Sequence, residues 1–457
     1  MSAPLEAPGP ALASLTTGEV GPQLYRLAVP MAFGLLSVMM FNVVDTWFVS
    51  LLGTKELAAI SLTFPVVAVL GSLAMGLGIG TTSVLSRAIG RGQLDEVRRL
   101  TTDSLVLGAL IVLPISVVGV ATIDPLFRAL GASAELLPLI HAYMRVWYLG
   151  TVFLVVPMVG MAAIRATGDT RTPAAVMAFA GLMNAALDPM FILGFGPIPR
   201  LGIQGAAIAT VLARATTLAF ALYMLGVRKQ MLTSHPPGRA AVLASWRRIL
   251  VIGGPAAATN VAQPVTIGIL TALVASWGHE AVAAFGTGGR IEILAMIPIM
   301  GLGAGMAPFI GQNWGAGHKD RVAQSLRVAA RAAAGLGLIG WLALALAAPY
   351  VAALFSDDPL VIKLIVVYLR VMPLAHGATG VFFQATSAFN AVGRPVAATS
   401  LTLLRTPALT VALAGTGALI AGLNGVFVGA AAAGLVSGGV AWVAVGGLRR
   451  APPRMTS

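Results

Sequence analysis

Apolar stretches of about 20 residues recur along this chain of 457 residues, with little polar material between them. A helix needs about 20 residues to cross a hydrocarbon core of roughly 30 Å. The pattern therefore predicts an all-α, polytopic membrane protein of about twelve spans. In the first half they start near Leu24, Glu56, Thr101, Leu136, Thr172 and Ile203, and in the second near Ile249, Ala281, Ser325, Val361, Val396 and Gly425.

The polar gaps repeat as well. Pro30 pairs with Pro255, Gly53 with Gly278, the run Gly76 to Gly80 (GLGIG) with Gly301 to Gly305 (GLGAG), and Gly168 with Gly393. Each pair is 225 positions apart. Six spans is an even number, so the second half re-enters the membrane in the same orientation. The architecture expected is two parallel-repeat six-helix bundles with a substrate cavity between them. The expected bounds are a flexible tail over 1–23, a first lobe over 24–226, a linker over 227–248 that contains SHPPGR, a second lobe over 249–446 and a tail over 447–457. Glycines at small-xxx-small spacing, such as Gly76 and Gly80, read as points of close helix packing.

Charge then orients the chain. Arg87, Arg91, Arg98 and Arg99, Arg165 and Arg171, Arg228 to Arg248, Lys319 to Arg331, Arg394 and the last arginines all fall on one side. The other side carries little beyond Lys55, Arg128, Arg200 and Lys363. Basic loops stay in the cytoplasm, so a plasma (inner) membrane location with both termini cytoplasmic is expected. The first residues lack the build of a cleavable signal peptide.

Composition narrows the chemistry. Charged residues are 10 % of the chain and hydrophobic ones 58 %, against about 25 % charged in soluble domains. The net charge of +13 is spread through loops rather than gathered on one solvated face, which argues against nucleic acid. There is no cysteine, hence no disulfide, thiolate site or cysteine nucleophile. No phosphate loop and no protease or zinc motif occurs, so neither an enzyme nor an organic cofactor is expected.

A charge at the bilayer centre is expensive, so an intramembrane carboxylate marks function by default. Of sixteen acids only Asp45, Asp188 and Glu292 fall deep in a span. By the helical rise, Asp45 lies roughly 30 Å along span 1 and Asp188 roughly 24 Å along span 5, while Thr210 lies about 10 Å into span 6 from the other side. Asn184, four residues before Asp188, shares its helix face. Pro189 frees the carbonyl of Ala185. These oxygens converge on a site for one proton or one small hard cation such as Na⁺. The competing reading is that either aspartate caps a broken helix or pairs with a buried arginine such as Arg214. Glu292 has two readings: an ion pair with Arg290, or a cavity-facing acid that attracts a cationic substrate. His376 reads as a satisfied core histidine. Met296, Met300, Met306, Phe309, Trp314, Phe382 and Phe383 give the second half soft apolar surface, either packing or an adaptable face for varied ligands.

The repeat makes the halves unequal. Asp45 stands opposite Leu270, Glu292 opposite Val67, and Asp188 opposite Thr410 once the shorter turn at Gly393 is allowed for. Ion chemistry is thus expected in the first half.

The stretch from Arg26 to Val66, the segments AAIRATGDTRTP and NAALDP, and the run from Arg290 to Gly317 together resemble the multidrug and toxic compound extrusion (MATE) family, closest to its prokaryotic DinF-like branch. The likeness runs from about Leu24 to Val445. It implies twelve helices in a V-shaped pair of bundles, alternating access, and export of cationic amphipathic drugs in exchange for H⁺ or Na⁺ by a single chain in the lipid bilayer. The branch's cation-site residues carry over to Asp45, Asn184, Asp188 and Thr210, the bending proline of helix 1 to Pro30, and a helix-8 glutamate to Glu292. Spans 7 and 10 lack the acids that other branches place there. The alternative within the same superfamily is a lipid-linked oligosaccharide flippase, for which Arg145, Arg214, Arg290, Arg370 and Arg405 are the candidate cationic lining.

Overall fold

A computed structural model describes residues 15–195, 199–234 and 238–449. Every regular element in them is helical, as lipid demands of a backbone that must satisfy its own polar groups. The crossings are α1 (Val20–Ser50), α2 (Thr54–Gly90), α3 (Leu94–Ala121) and α4, a pair Leu137–Leu149 and Val152–Ala166 bent by 43°. They continue with α5 (Arg171–Gly194), α6 (Ile203–Arg228), α7 (Arg239–Trp277), α8 (His279–Gly315), α9 (Lys319–Ala353) and α10 (Pro359–Ala391). A last run, Pro395–Gly446, is broken by non-helical backbone at Ala421 and Gly422 into α11 (395–420) and α12 (423–446). Twelve crossings result, in two bundles of six.

The repeat extends further than its 225-residue register. Gly202, before α6, has φ 57° and ψ −134°, and Gly422, before α12, has φ 59° and ψ −140°. A side chain is strained in that left-handed region. The two positions are 220 residues apart (422 − 202), so the register shortens in the last hairpin while the backbone geometry is kept.

The halves join through glycine. Gly76 and Gly80 press α2 onto α7: an added Cβ would lie 2.5 Å from the carbonyl oxygens of Gly253 and Ile249 respectively. The repeat returns the contact, with Gly301 and Gly305 pressing α8 onto α1 at Ala32 and Leu27. Pro30 and Pro255 sit inside α1 and α7 at these contacts. Toward the basic face Gly90 meets the backbone of Gln312, and Gly315 that of Arg87. Ser83 Oγ donates to the carbonyl of Asn390 at 2.5 Å and Gln312 Nε2 to that of Ala166 at 2.8 Å. Among the described residues, every hydrogen bond between halves lies toward this face, which is closed.

The bounds expected from sequence shift at the start and in the middle, while the last helix ends at Gly446 as expected. Residues 1–14 of the expected tail, 235–237 of the linker and 450–457 lie outside the described residues. Leu15 to Glu19, however, are fastened rather than free. The Arg321 guanidinium donates to the carbonyls of Leu15 (3.2 Å), Thr17 (3.3 Å) and Gly18 (2.6 Å), to Gln23 Oε1 (3.2 Å) and to Asn313 Oδ1 (2.8 Å). Leu15 is buried in a cluster that also takes in Leu448 near the other end of the chain. The linker is shorter than 227–248 because α7 already begins at Arg239. Its first turns are held by Trp246 Nε1, which donates to the Asp103 carbonyl at 3.0 Å, and by the Arg248–Glu96 bridge at 2.5 Å. In the turn between α4 and α5, burial opposes the charge of Asp169, but hydrogen bonds from Thr172 and Lys229 hold its carboxyl below the usual range. That turn is therefore steadied above the ordinary carboxylate range and loosens as the pH falls.

A side chain at Gly90 must push α2 from α8. Spin labels on Asp95→Cys and Asp320→Cys, clean probes in a cysteine-free chain, are expected to move apart when Gly90→Val is added, with helical content by circular dichroism unchanged. An unaltered distance would show that this contact does not hold the face shut.

Candidate functional site

Three of the four expected ion-site residues form a continuous hydrogen-bonded unit. Asn184 and Asp188 lie one turn apart on α5, and Thr210 on α6 faces them across the hairpin; all three are buried. The neighbours fix the Asn184 amide, since the opposite setting would turn its oxygen onto a carboxylate. With its nitrogen toward the acid, Asn184 donates to Asp188 Oδ2 at 2.7 Å, and its oxygen accepts from Thr210 Oγ1 at 3.2 Å and Thr210 N at 3.1 Å. Asp188 is 0 % exposed. Directly after Pro189 the helix widens into a π turn, Met190–Gly194. Such turns recur at functional sites.

Asp45, on α1, completes the group electrostatically. It feels the charges of Arg214 and Asp188, and Tyr143 of α4 feels Asp45, Arg214 and Asp188 together. The Asp45 Oδ1 atom is buried with no hydrogen-bond partner. Buried acceptors are rarely left so, and two carboxylates close enough to feel each other's charge, one with an idle oxygen, suit a proton or small cation. Arg214 makes no ion pair closer than 4 Å with either aspartate among the described residues.

Glu292 departs from one of its two expected readings, the ion pair with Arg290. Residues two apart on a helix point about 200° from each other, so Arg290 is exposed while Glu292 is half-buried on the other side of α8. The partners of Glu292 come from α10: Tyr368 Oη donates to its Oε2 at 2.5 Å and His376 Nε2 lies 3.2 Å from its Oε1. The ion pair with Arg290 is therefore absent from this structure. His376 is buried and only half satisfied, its Nδ1 having no partner. Tyr368 was not singled out by sequence reasoning; its only signal is a position two turns before His376. Of the soft apolar residues, Met296, Met306, Phe309 and Phe382 are buried packing, whereas Met300 is exposed and Trp314 and Phe383 are half-exposed.

Removing the Asn184 amide leaves a buried carboxylate short of a donor, which costs about 1.5–3 kcal/mol. Asn184→Ala is expected to lower stability by that order in detergent-solubilised protein unfolded by denaturant. In the Asp188→Asn background the same change should cost clearly less, because the two residues act as one unit; equal costs would mean they do not interact.

Comparison with known proteins agrees with the two-bundle fold. The family model described as MatE matches twice, over residues 30–190 and 255–416, once in each half. A curated protein of Shewanella oneidensis named FAD transporter is 38 % identical over 90 % of this chain and 91 % of its own length. The multidrug export protein MepA of Staphylococcus haemolyticus is 25 % identical over 83 % of each chain. The crystal structure of the Vibrio cholerae MATE transporter VcmN in its bent form superposes with a TM-score of 0.90 at 30 % identity, covering 96 % of this chain and 98 % of that one. The chain is a multi-pass membrane transporter of small molecules, not an enzyme, and it belongs to the MATE family.

Proposed function

We propose that the chain is a secondary antiporter that exports small amphipathic organic molecules by alternating access, drawing in H⁺ or Na⁺ at Asp45, Asn184, Asp188 and Thr210. The carrying observation is the idle, buried Oδ1 of Asp45 beside the hydrogen-bonded Asp188 unit. An ion held there neutralises acids that are costly to keep charged in lipid. Its arrival and loss bias the packing of α1 against α5 and α6, and through Pro30 the contact of α1 with α8. One charge moving across about 100 mV supplies roughly 2.3 kcal/mol, which sustains an outward solute ratio of roughly 50-fold. In this reading the basic, closed face is cytoplasmic, the membrane is the inner one, and a single chain is the working unit.

Two substrate classes have support. Organic cations and drugs fit the acidic interior and the name of the MepA relative; flat aromatic nucleotides fit the name of the Shewanella relative.

The test is solute movement in proteoliposomes under an imposed pH gradient and, separately, an imposed Na⁺ gradient, with ethidium and flavin nucleotides as probes. One gradient is expected to drive transport, thereby naming the ion. Asp45→Asn and Asp188→Asn should each fall to the leak of protein-free vesicles, and undiminished transport in both would remove the ion site.

A further inference from the structure

The second half carries a charge of the opposite sign where the first half holds its ion site. The offset that sets Asp188 opposite Thr410 sets Asn184 opposite Thr406, so Arg405 stands beside the counterpart of Asn184. Each of the two helices also contains a π turn, Met190–Gly194 just after Asp188 and Leu404–Leu409 around Arg405, although the two turns do not fall at matching positions. Arg405 is also about 15 Å along α11 by the helical rise, deep in the membrane, where a permanent charge must face protein or a water-filled cavity.

Its surroundings prepare the guanidinium for a ligand. The group lies 4.7 Å from the ring centre of Phe382 and 5.3 Å from that of Phe383, and Nη2 donates to Thr379 Oγ1 at 3.3 Å. Rings and hydroxyl keep a long side chain from swinging. Arg405 has no ion pair among the described residues. Glu292 is close enough for its charge to be felt, yet its oxygens are taken by Tyr368 and His376. A guanidinium carries five donors, of which one is used here. Nε and Nη1 make no hydrogen bond to the protein and are not among its fully enclosed, unpaired polar atoms, so both keep some accessible surface. Phe383, whose ring lies beside the guanidinium, is half-exposed as well.

We propose that Arg405, steadied by Phe382, Phe383 and Thr379, is the subsite for the anionic end of a flat aromatic solute, gripping a phosphate or carboxylate while Phe383 stacks on the ring system. A guanidinium fork matches such groups with two parallel hydrogen bonds, and the same positive charge repels an organic cation. The inference rests on the reading of the chain as an exporter of amphipathic organic molecules and names one substrate class within it.

The experiment is equilibrium binding to the purified full chain in lipid nanodiscs, with three fluorescent probes. These are flavin mononucleotide, which carries a phosphate; riboflavin, with the same rings and no phosphate; and ethidium, a flat cation. The unaltered chain is expected to favour the mononucleotide over riboflavin by tenfold or more. Arg405→Gln should erase that preference while leaving ethidium binding unchanged or tighter, Arg405→Lys should keep part of it, and Phe383→Ala should weaken both flavins alike. Equal affinity for the two flavins in the unaltered chain, or an undiminished preference in Arg405→Gln, overturns the proposal. Should Arg405→Gln fail to fold, salt decides on the unaltered chain. Rising ionic strength should weaken the mononucleotide and spare riboflavin, and an equal response of both overturns the subsite. Binding needs no gradient, so a chain that shows the Arg405-dependent preference yet moves no solute under either gradient keeps the subsite and loses antiport.

Discussion

The structure depends on backbone-to-backbone contact between its halves. Lipid offers no hydrophobic gain for bringing two apolar helices together, so association rests on close van der Waals packing. That in turn needs residues without side chains at the crossings. Gly76 and Gly80 on α2 serve α7, and Gly301 and Gly305 on α8 serve α1. Each half lends its second helix to the other's first, and the exchange is why a duplicated sequence yields one molecule rather than two bundles side by side. Because these contacts are dispersive and undirected, the halves can part without unfolding either. The hydrogen bonds that add direction, from Ser83 and Gln312, are confined to one face.

On this shared frame the two halves have been given contrary electrostatics. In the first, α1, α5 and α6 bring acids and neutral donors together; in the second, the matching place holds a guanidinium on aromatic rings. Internal duplication makes that division possible, since one copy can specialise while the other keeps the geometry. Both helices that carry the specialised residues contain a π turn, directly after Asp188 in α5 and around Arg405 in α11. The widened turn shifts the facing of every residue beyond it by part of a turn relative to a straight helix.

Much of this was legible in the chain because membrane helices announce themselves by length and apolarity. The starts expected for α2, α4, α5, α6, α8, α10 and α11 lie within two residues of those observed. The pairing of Asn184 with Asp188 follows from their spacing, since four residues is one helical turn. What stayed hidden depends on how separate helices cross. Glu292 meets Tyr368 and His376 because α8 lies against α10, which neighbouring letters cannot reveal; its neighbour in sequence, Arg290, is turned away by helix geometry. The aromatic bed of Arg405 was visible only as apolar surface, for a ring's partner is set by the rotation of α11 against α10. The early start of α7 was obscured by Arg239, Arg247 and Arg248, charges that suit a loop but here lie on a helix packed at the membrane edge.

The fastening of Leu15 to Gly18 by Arg321 bears on the resting population of the transporter. Four hydrogen bonds from Arg321 of α9 and one from Asn313 Nδ2 of α8 tie the start of the chain beside the closed face, and Leu15 N adds a bond at 3.3 Å to Gln312 Oε1, the same side chain that reaches across to Ala166. A segment that binds one conformer better than another acts as a tethered ligand, always present at the high local concentration its attachment sets. The beginning of the chain thus acts as a thermodynamic counterweight, setting how far the empty carrier leans toward closure and hence how much differential affinity an ion or solute must bring before the carrier turns over.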